Sequence, residues 1–322
     1  KRQGQAGPAC AAIARRSAPL MRASICMACP RIRDVIFYGQ IYVSTRIDTH
    51  PIRVKSEKGE PMGYQCDHPA MPANEHADTM TGRPRFDVPV PLDGYRWWYI
   101  DGLSDDGRSG IVIIAFVGSV FSPYYFGARS RQPTDPQEHV AINVGLYRPS
   151  NKLWAMTERG SGDLARDADS FAVRSSQLRW VRNELHIDID ERSMPLARKL
   201  RGRIIVRPTC WNERRFALDA AGRHSWQPVA PVARMEVLFD EPSWCWQGDA
   251  YVDTNAGERP LEKDFRSWHW SRSSDDGMTA ITYAVDRLDG SERDLAIRFD
   301  AEGRCEEFEM PPRVVLPSTG WR

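Results

Sequence analysis

From Phe86 onward, hydrophobic and polar positions alternate over short runs separated by turn residues, which is the pattern of antiparallel strands. Leu185-His186-Ile187-Asp188-Ile189-Asp190 is the clearest case, a half-buried strand with its apolar side chains on one face. Tyr95–Ile100, Ile111–Ser119, His139–Tyr147, Lys152–Thr157 and Arg203–Arg207 are likewise rich in β-branched and aromatic residues. Asp105-Asp106-Gly107 and Asp289-Gly290 are hairpin signals. A second group of strands follows Pro228: Arg234–Phe239, Gly248–Asp253, Ser267–Arg272, Met278–Asp286, Leu295–Asp300 and Cys305–Met310. Helical periodicity is thin and confined to one or two turns at Pro195–Arg201. Many short strands with frequent turns predict an all-β protein built from sandwiches or closed barrels, arranged as two β-domains in tandem. With the boundary at Leu218–Gly222, the first domain covers residues 83–222 and the second, smaller one covers 223–322.

Residues 1–82 read differently. Lys1, Arg2, Arg15, Arg16, Arg22, Arg31 and Arg33 all precede the first acid, Asp34. The segment has little periodicity beyond a short strand expected at Val35–Ser44, and Pro61–Pro84 is rich in Pro, Gly and Met. It is expected to be low in structure, as a transit-type leader, a basic arm or upstream sequence outside the functional unit.

Composition narrows the function classes. The 44 basic residues nearly balance the 43 acidic ones, which gives no support for a nucleic-acid partner. The longest apolar run, Ile111–Val117, has the length of a buried strand and is far short of a membrane-spanning helix. The seven cysteines are odd in number and scattered, which argues against a disulfide framework and for a reducing compartment. Cys26-Met27-Ala28-Cys29 lacks the second pair that a zinc site requires, so no metal is expected.

The candidate chemistry is concentrated in Trp244–Trp270, which holds four of the eleven tryptophans and several carboxylates. In a strand, residues two apart share a face. Asp249, Tyr251 and Asp253 therefore point one way; so do His224 and Trp226, and so do Trp244 and Trp246. A carboxyl buried among aromatic rings is held neutral and can act as an acid, and the same rings can stabilise a carbocation. Histidine, with an ordinary pKa of about 6.5, can take a proton from water. On the residues alone, Asp249 and Asp253 are interchangeable as the acid, and Asp253 is equally suited to begin the turn Asp253–Gly257.

In these residues the chain resembles the carotenoid 1,2-hydratases, or hydroxyneurosporene synthases. The resemblance runs from about Phe86 to the C-terminus. It is carried by GYRWWYIDGLSDDG (94–107), GIVIIAFVGSVFSPYY (110–125), HVAINVGLY (139–147), RHSWQP (223–228) and WCWQGDAYVDTNAGERPLEKDF (244–265). It implies two lipocalin-like β-barrel domains and addition of water across the 1,2 double bond of acyclic carotenoids such as neurosporene or lycopene, without metal or organic cofactor. It also implies Asp253 as the acid, accompanied by His224, Trp226 and Tyr251. Asp253 is expected to protonate C2, Trp226 and Tyr251 to flank the cation at C1, and His224 to orient or deprotonate water. Trp244, Trp246, Tyr124 and Tyr125 are expected to line the substrate path. Because the substrate is a membrane-confined hydrocarbon, the expected setting is the cytoplasmic face of a membrane, with peripheral association.

Two other functions fit a β-protein with an apolar interior: a polyene cyclase of the double-lipocalin type, and a terpenoid or lipid carrier. A carrier has no use for a buried acid, because desolvating an unused carboxyl only costs stability. Trp97, Trp98, Trp154 and Trp180 are expected to be core, and Trp268 and Trp270 wall, with His269 on the opposite face from them. Asp101 and Glu138-His139 receive no role, Arg129-Ser130-Arg131 reads as a solvated charge cluster, and Gly160-Ser161-Gly162 reads as a loop.

Overall fold

The computed structural model describes residues 82–148, 151–275 and 277–312, together with the backbone of two strands nearer the N-terminus. Those two are β1 (Ala23–Cys29) and β2 (Gln40–Thr45). There follow β3 (Tyr95–Ser104), β4 (Gly110–Val117), helix α1 (Pro123–Arg129), β5 (Val140–Tyr147), β6 (Lys152–Met156), β7 (Leu164–Arg166), β8 (Ser170–Val173) and β9 (Ser176–Val181). The remainder are β10 (Glu184–Arg192), β11 (Lys199–Pro208), β12 (Phe216–Ala217), β13 (His224–Glu241), β14 (Trp244–Gly257), β15 (Phe265–Asp275), β16 (Met278–Arg287), β17 (Glu292–Phe299) and β18 (Cys305–Glu307). The strands expected from the sequence all form, most of them longer at one or both ends. Of the turns expected at Pro195–Arg201, residues 195–198 belong instead to the connection between β10 and β11, and Lys199, Leu200 and Arg201 begin β11.

All described pairings are antiparallel and fall into two sheets. The larger runs β6-β5-β4-β3-β14-β13-β11-β10-β9-β8-β7, with β12 beside β13. It curls into a half-barrel, and Met194 N–H from the β10–β11 turn donates to Trp154 O on edge strand β6 at 2.8 Å. The smaller sheet runs β18-β17-β16-β15-β1-β2. Of the expected low-structure segment 1–82, β1 and β2 are therefore strands at one edge of the smaller sheet; nearly all the rest lies outside the described residues.

The all-β class is as expected, but the division between the sheets falls elsewhere than at residues 222/223. β13 and β14 are long strands joined by a hairpin, and they sit in the middle of the larger sheet between β11 and β3. Chain order misleads here because antiparallel pairing lets late strands complete a sheet begun early.

Strand parity sorts the core into two layers. Trp98, Ile100, Ile111, Ile113, Val144, Ile187, Val237, Trp244, Trp246 and Val252 fill the concave side of the larger sheet. Tyr95, Trp97, Tyr99, Val112, Ile114, Trp226 and Tyr251, from the other face of the same sheet, pack against Phe265, Trp268, Trp270, Ile281 and Tyr283 of the smaller one. Burial on both faces is why β4 is apolar without alternation: Gly110–Val117 is buried at every position.

Candidate active site

The interface between the sheets can be read as rows across β3, β14 and β13. Tyr95 pairs with Gly257, which pairs with His224; the next row is Trp97, Asn255 and Trp226; the next is Tyr99, Asp253 and Pro228; then Tyr251 pairs with Asp101. All these side chains leave the same face, because the register is unbroken from Tyr95 to Asp101 and from Tyr251 to Gly257. The smaller sheet covers each row. Phe265 packs on His224 with ring centroids 4.6 Å apart, Tyr283 on Trp226 at 5.1 Å, and Trp270 on Tyr99 at 5.2 Å and on Tyr251 at 5.5 Å.

Asp253 lies at the centre and is 3% exposed. Trp226 Nε1–H donates to its Oδ2 at 2.9 Å, and Tyr251 Oη–H donates to the same oxygen at 3.0 Å. Oδ1 is buried and has no hydrogen-bond partner in the protein. Burial pushes the carboxyl up from 3.8 to about 8, against the two hydrogen bonds and with a further push from Asp101. At neutral pH the group is thus a carboxylic acid. With both donors on Oδ2, that oxygen is the carbonyl and the buried Oδ1 carries the hydroxyl hydrogen.

Below Asp253, Arg272 crosses from β15 and donates to the Asp101 carboxylate through Nη2 and through Nε at 3.3 Å. Both side chains are essentially unexposed. The Arg272 guanidinium also lies 5.7 Å from the Tyr251 ring centroid. A lone buried cation there would oppose positive charge beside Asp253, and Asp101 neutralises it.

Of the proposed acid and its companions, the structure brings Asp253, Trp226 and Tyr251 into direct contact. His224 shares their interface but stands two rows away. Four residues along β14 separate Asp253 from Gly257, the partner of His224, or about 13 Å of strand, and the Trp226 row lies between. Both ring nitrogens of His224 are engaged, Nδ1 with Tyr95 Oη at 2.9 Å and Nε2 with Asp264 Oδ2 at 2.8 Å. Burial lowers its pKa, outweighing the pull of Asp264, so the ring is neutral.

The expected substrate-lining set does not gather at Asp253. Trp244 and Trp246 face the concave core of the larger sheet, 5.7 Å from each other, because they have the opposite strand parity from Tyr251 and Asp253. Tyr124 is 74% exposed on α1. Tyr125 is buried beneath that helix, donating to Gly94 O at 2.5 Å and packing at a tilt on His139, ring centroids 4.7 Å apart. Asp249 leaves the candidate acids: its carboxylate accepts from Arg234 Nη1 at 2.7 Å and is 44% exposed. The charge cluster also resolves differently, since Arg129 is buried against the Tyr125 ring and pairs with Glu262. Cys210 and Cys305 are free thiols, whereas Cys245 is disulfide-bonded, a bond that the scattered cysteines had not suggested. The side chains of Cys26 and Cys29 lie outside the described residues.

Tyr95, Tyr99, Asn255, Asp264, Arg272 and Tyr283 had no role in the sequence reading. A signal for some of them was present: Tyr95, Trp97, Tyr99 and Asp101 share one strand face in YRWWYID, as Tyr251, Asp253 and Asn255 do in YVDTN. What was missing was the pairing that sets the two faces side by side.

Fold and site define an all-β protein that encloses a neutral carboxylic acid in an aromatic box between two antiparallel sheets. The family described as carotenoid hydratase CrtC matches residues 113–322. The acyclic carotenoid 1,2-hydratase of Rubrivivax gelatinosus is 46% identical over 244 residues, 75% of this chain and 60% of that protein. That of Thiocapsa roseopersicina is 48% identical over 240 residues, 74% of this chain and 59% of the relative. That of Rhodobacter capsulatus is 37% identical over 211 residues, 65% and 73% of the two chains. This chain belongs to the carotenoid hydratase CrtC family. It spans about three fifths of the first two relatives, 60% and 59% of their lengths.

Proposed function

We propose that this chain adds water across the terminal 1,2 double bond of acyclic carotenoids such as neurosporene and lycopene, giving the 1-hydroxy product. The observation that carries the reading is Asp253: a buried acid, neutral to about pH 8, whose Oδ1 is unengaged and whose Oδ2 is held by Trp226 and Tyr251, with Tyr251 packed in turn on Tyr99 and Trp270. Protonation of an isolated alkene requires a carboxylic acid rather than a carboxylate, next to an apolar chain. Asp253 Oδ1–H gives its proton to C2, and the tertiary cation forms at C1. Each facing ring stabilises the cation by roughly 0.5–2 kcal/mol. Trp226 and Tyr251 keep donating to Oδ2 as the carboxylate develops. Water adds to C1 and loses one proton, which replaces the one Asp253 gave, so alkene plus water becomes alcohol with no net proton change.

The test is incubation of purified protein with lycopene in detergent, under argon and with no added cofactor, followed by mass spectrometry. A product heavier by one water is expected. Isomerisation without mass change would assign a cyclase, and bound, unchanged pigment would assign a carrier.

Peripheral association with the cytoplasmic face of a membrane belongs to the same proposal. No helix among the described residues is long and apolar enough to cross a bilayer. Leu92, Tyr124 and Phe126 are exposed at 59%, 74% and 42%. The Leu92 turn adjoins α1, since Gly94 O accepts from Tyr125. The chain is expected to float with vesicles of bacterial lipid, and less so as Tyr124→Ser. Equal recovery of both proteins in the lipid-free fraction would remove this part of the proposal.

A further inference from the structure

His224 has no nitrogen left with which to meet a water molecule. Nε2 faces the carboxylate of Asp264. Asp264 is held ionised: although partial burial raises its pKa, hydrogen bonds from Arg259 and His224 bring it below the usual range. Arg259 donates to it through Nε at 2.6 Å and Nη2 at 2.5 Å, and Arg223 Nη2 donates at 3.1 Å. A carboxylate only accepts, so the Nε2 of His224 carries the hydrogen. The ring is neutral, so Nδ1 is bare and accepts, and its partner at 2.9 Å, the Tyr95 hydroxyl, must donate. The tautomer of His224 and the orientation of the Tyr95 proton are therefore both set from Asp264.

The backbone is built around this contact. A Cβ on Gly257 would lie 2.6 Å from Tyr95 Cζ and 2.7 Å from His224 Nδ1, so only glycine allows the two rings to meet across β14. Asp219 Oδ1 accepts from the His224 backbone N–H at 2.8 Å and fixes the start of β13. The outer end of the chain is wet: Asp264 lines a surface pocket with Asp219, Arg223, Lys263, Arg287 and Asp289. The inner end lies between the two sheets, where Tyr95 stacks on Trp97 with ring centroids 5.1 Å apart, in the row next to Trp97, Asn255 and Trp226.

We propose that Tyr95 is a further catalytic residue of the hydration site and Asp264 a positioning residue, forming with His224 a relay whose water-facing member is Tyr95 rather than His224. The relay rests on the hydratase reading and deepens it. When water captures the cation at C1, its proton passes to the Tyr95 oxygen as the Tyr95 hydroxyl proton passes to Nδ1 of His224. The imidazolium that results is balanced by the Asp264 carboxylate. Reversal of the two transfers returns the proton, through water, to the Asp253 carboxylate. No bond other than these O–H and N–H bonds is made or broken in the relay.

Asp264→Asn and Tyr95→Phe in the full chain test it. An asparagine turns its amide N–H toward Nε2 and favours the opposite tautomer, while phenylalanine removes the donor and keeps the ring. Each is expected to lower kcat by roughly 10²-fold with KM little changed. Asp264 raises the His224 pKa, so Asp264→Asn is also expected to move the acid limb of the pH–rate profile to lower pH. The groups bearing on that limb are Asp264, Asp219, Arg223 and Tyr95 around His224, and Arg259 behind Asp264. A merely structural loss would lower activity at every pH and leave the limb in place, which would overturn the relay, as would wild-type kcat in both variants. Nitrogen-15 NMR of labelled histidine reads the same inference without turnover. The wild-type chain is expected to show His224 as the Nε2–H tautomer and Asp264→Asn as Nδ1–H, and Nδ1–H in the wild type would overturn the relay. A wild-type chain that hydrates no carotenoid while showing the Nε2–H tautomer would refute the reaction and the proton transfers built on it, leaving only the positioning of His224 by Tyr95 and Asp264 intact.

Discussion

The two sides of β14 have opposite compositions. Its even positions, Trp244, Trp246, Ala250 and Val252, enter the concave core of the larger sheet among Ile100, Val237 and Phe239. Its odd positions, Tyr251, Asp253 and Asn255, enter the interface with the smaller sheet, where Asp101, His224 and Arg272 are buried too. Both sides are equally dry, so exposure cannot account for the difference. Hydrocarbon would hold the sheets together at lower cost, since burying polar groups is favourable only when each finds a partner. One layer is therefore what the fold requires, and the other buries polar and ionisable groups that the fold alone does not require.

The largest effect expected from breaking that contrast is at Asp253. Asp253→Asn keeps an acceptor for Trp226 and Tyr251 but removes the acid, and hydration should fall by roughly 10²–10⁴-fold. The same change should stabilise the fold. The folded chain keeps a proton on Asp253 up to about pH 8, whereas the unfolded chain releases it near 3.8. Wild-type stability therefore falls as pH rises between these values and is regained below them, and at pH 7 the variant should gain up to roughly 4 kcal/mol. Denaturant melts at pH 4 and pH 7 check this; equal loss of stability with pH in both proteins would remove the neutral acid.

Next in size is the ion pair beside it. Arg272→Met leaves Asp101 buried and unpaired and should cost about 3–5 kcal/mol. The double variant Asp101→Val/Arg272→Met should recover most of that in the same melts. Activity should not return with stability if the pair serves the site, because the field around Asp253 has changed.

Trp226→Phe should act more gently, keeping a ring over the site while removing the Nε1–H donor. Since that hydrogen bond holds the Asp253 pKa down, its loss should move the basic limb of the pH–rate profile above about 8 and lower kcat by about tenfold. The smallest functional effect is expected on the other side of the strand. Trp244→Phe and Trp246→Phe should cost roughly 1–2 kcal/mol of stability and leave kcat within about twofold. A large loss of hydration from either would mean that the concave core, and not the interface, receives the substrate.

Much of the fold was legible because the code for strands is local. Alternation and turn residues marked twelve strands near their final positions, and the double burial of β4 could be read from Ile111–Val117. β1, β7, β8, β9 and β12 escaped, the last four being short or weakly apolar. The site was half legible. Parity placed Tyr251 with Asp253 and His224 with Trp226, and the family resemblance chose Asp253 over Asp249. Trp244 and Trp246 lie in the other core layer from Asp253, and density of tryptophan along the chain does not reveal which face carries it.

By itself, the sequence determined which residues share a face, since a strand's period of two is a property of its own backbone. It thereby determined that a carboxyl, a phenol and an indole could be presented together. Only the tertiary structure decided that Tyr95, Gly257 and His224 form one row, that Arg272 arrives from another sheet to meet Asp101, and that Asp264 governs a histidine 40 residues away in the chain. Register and sheet order are set by pairing and burial among distant segments, and those interactions leave no local period in the sequence.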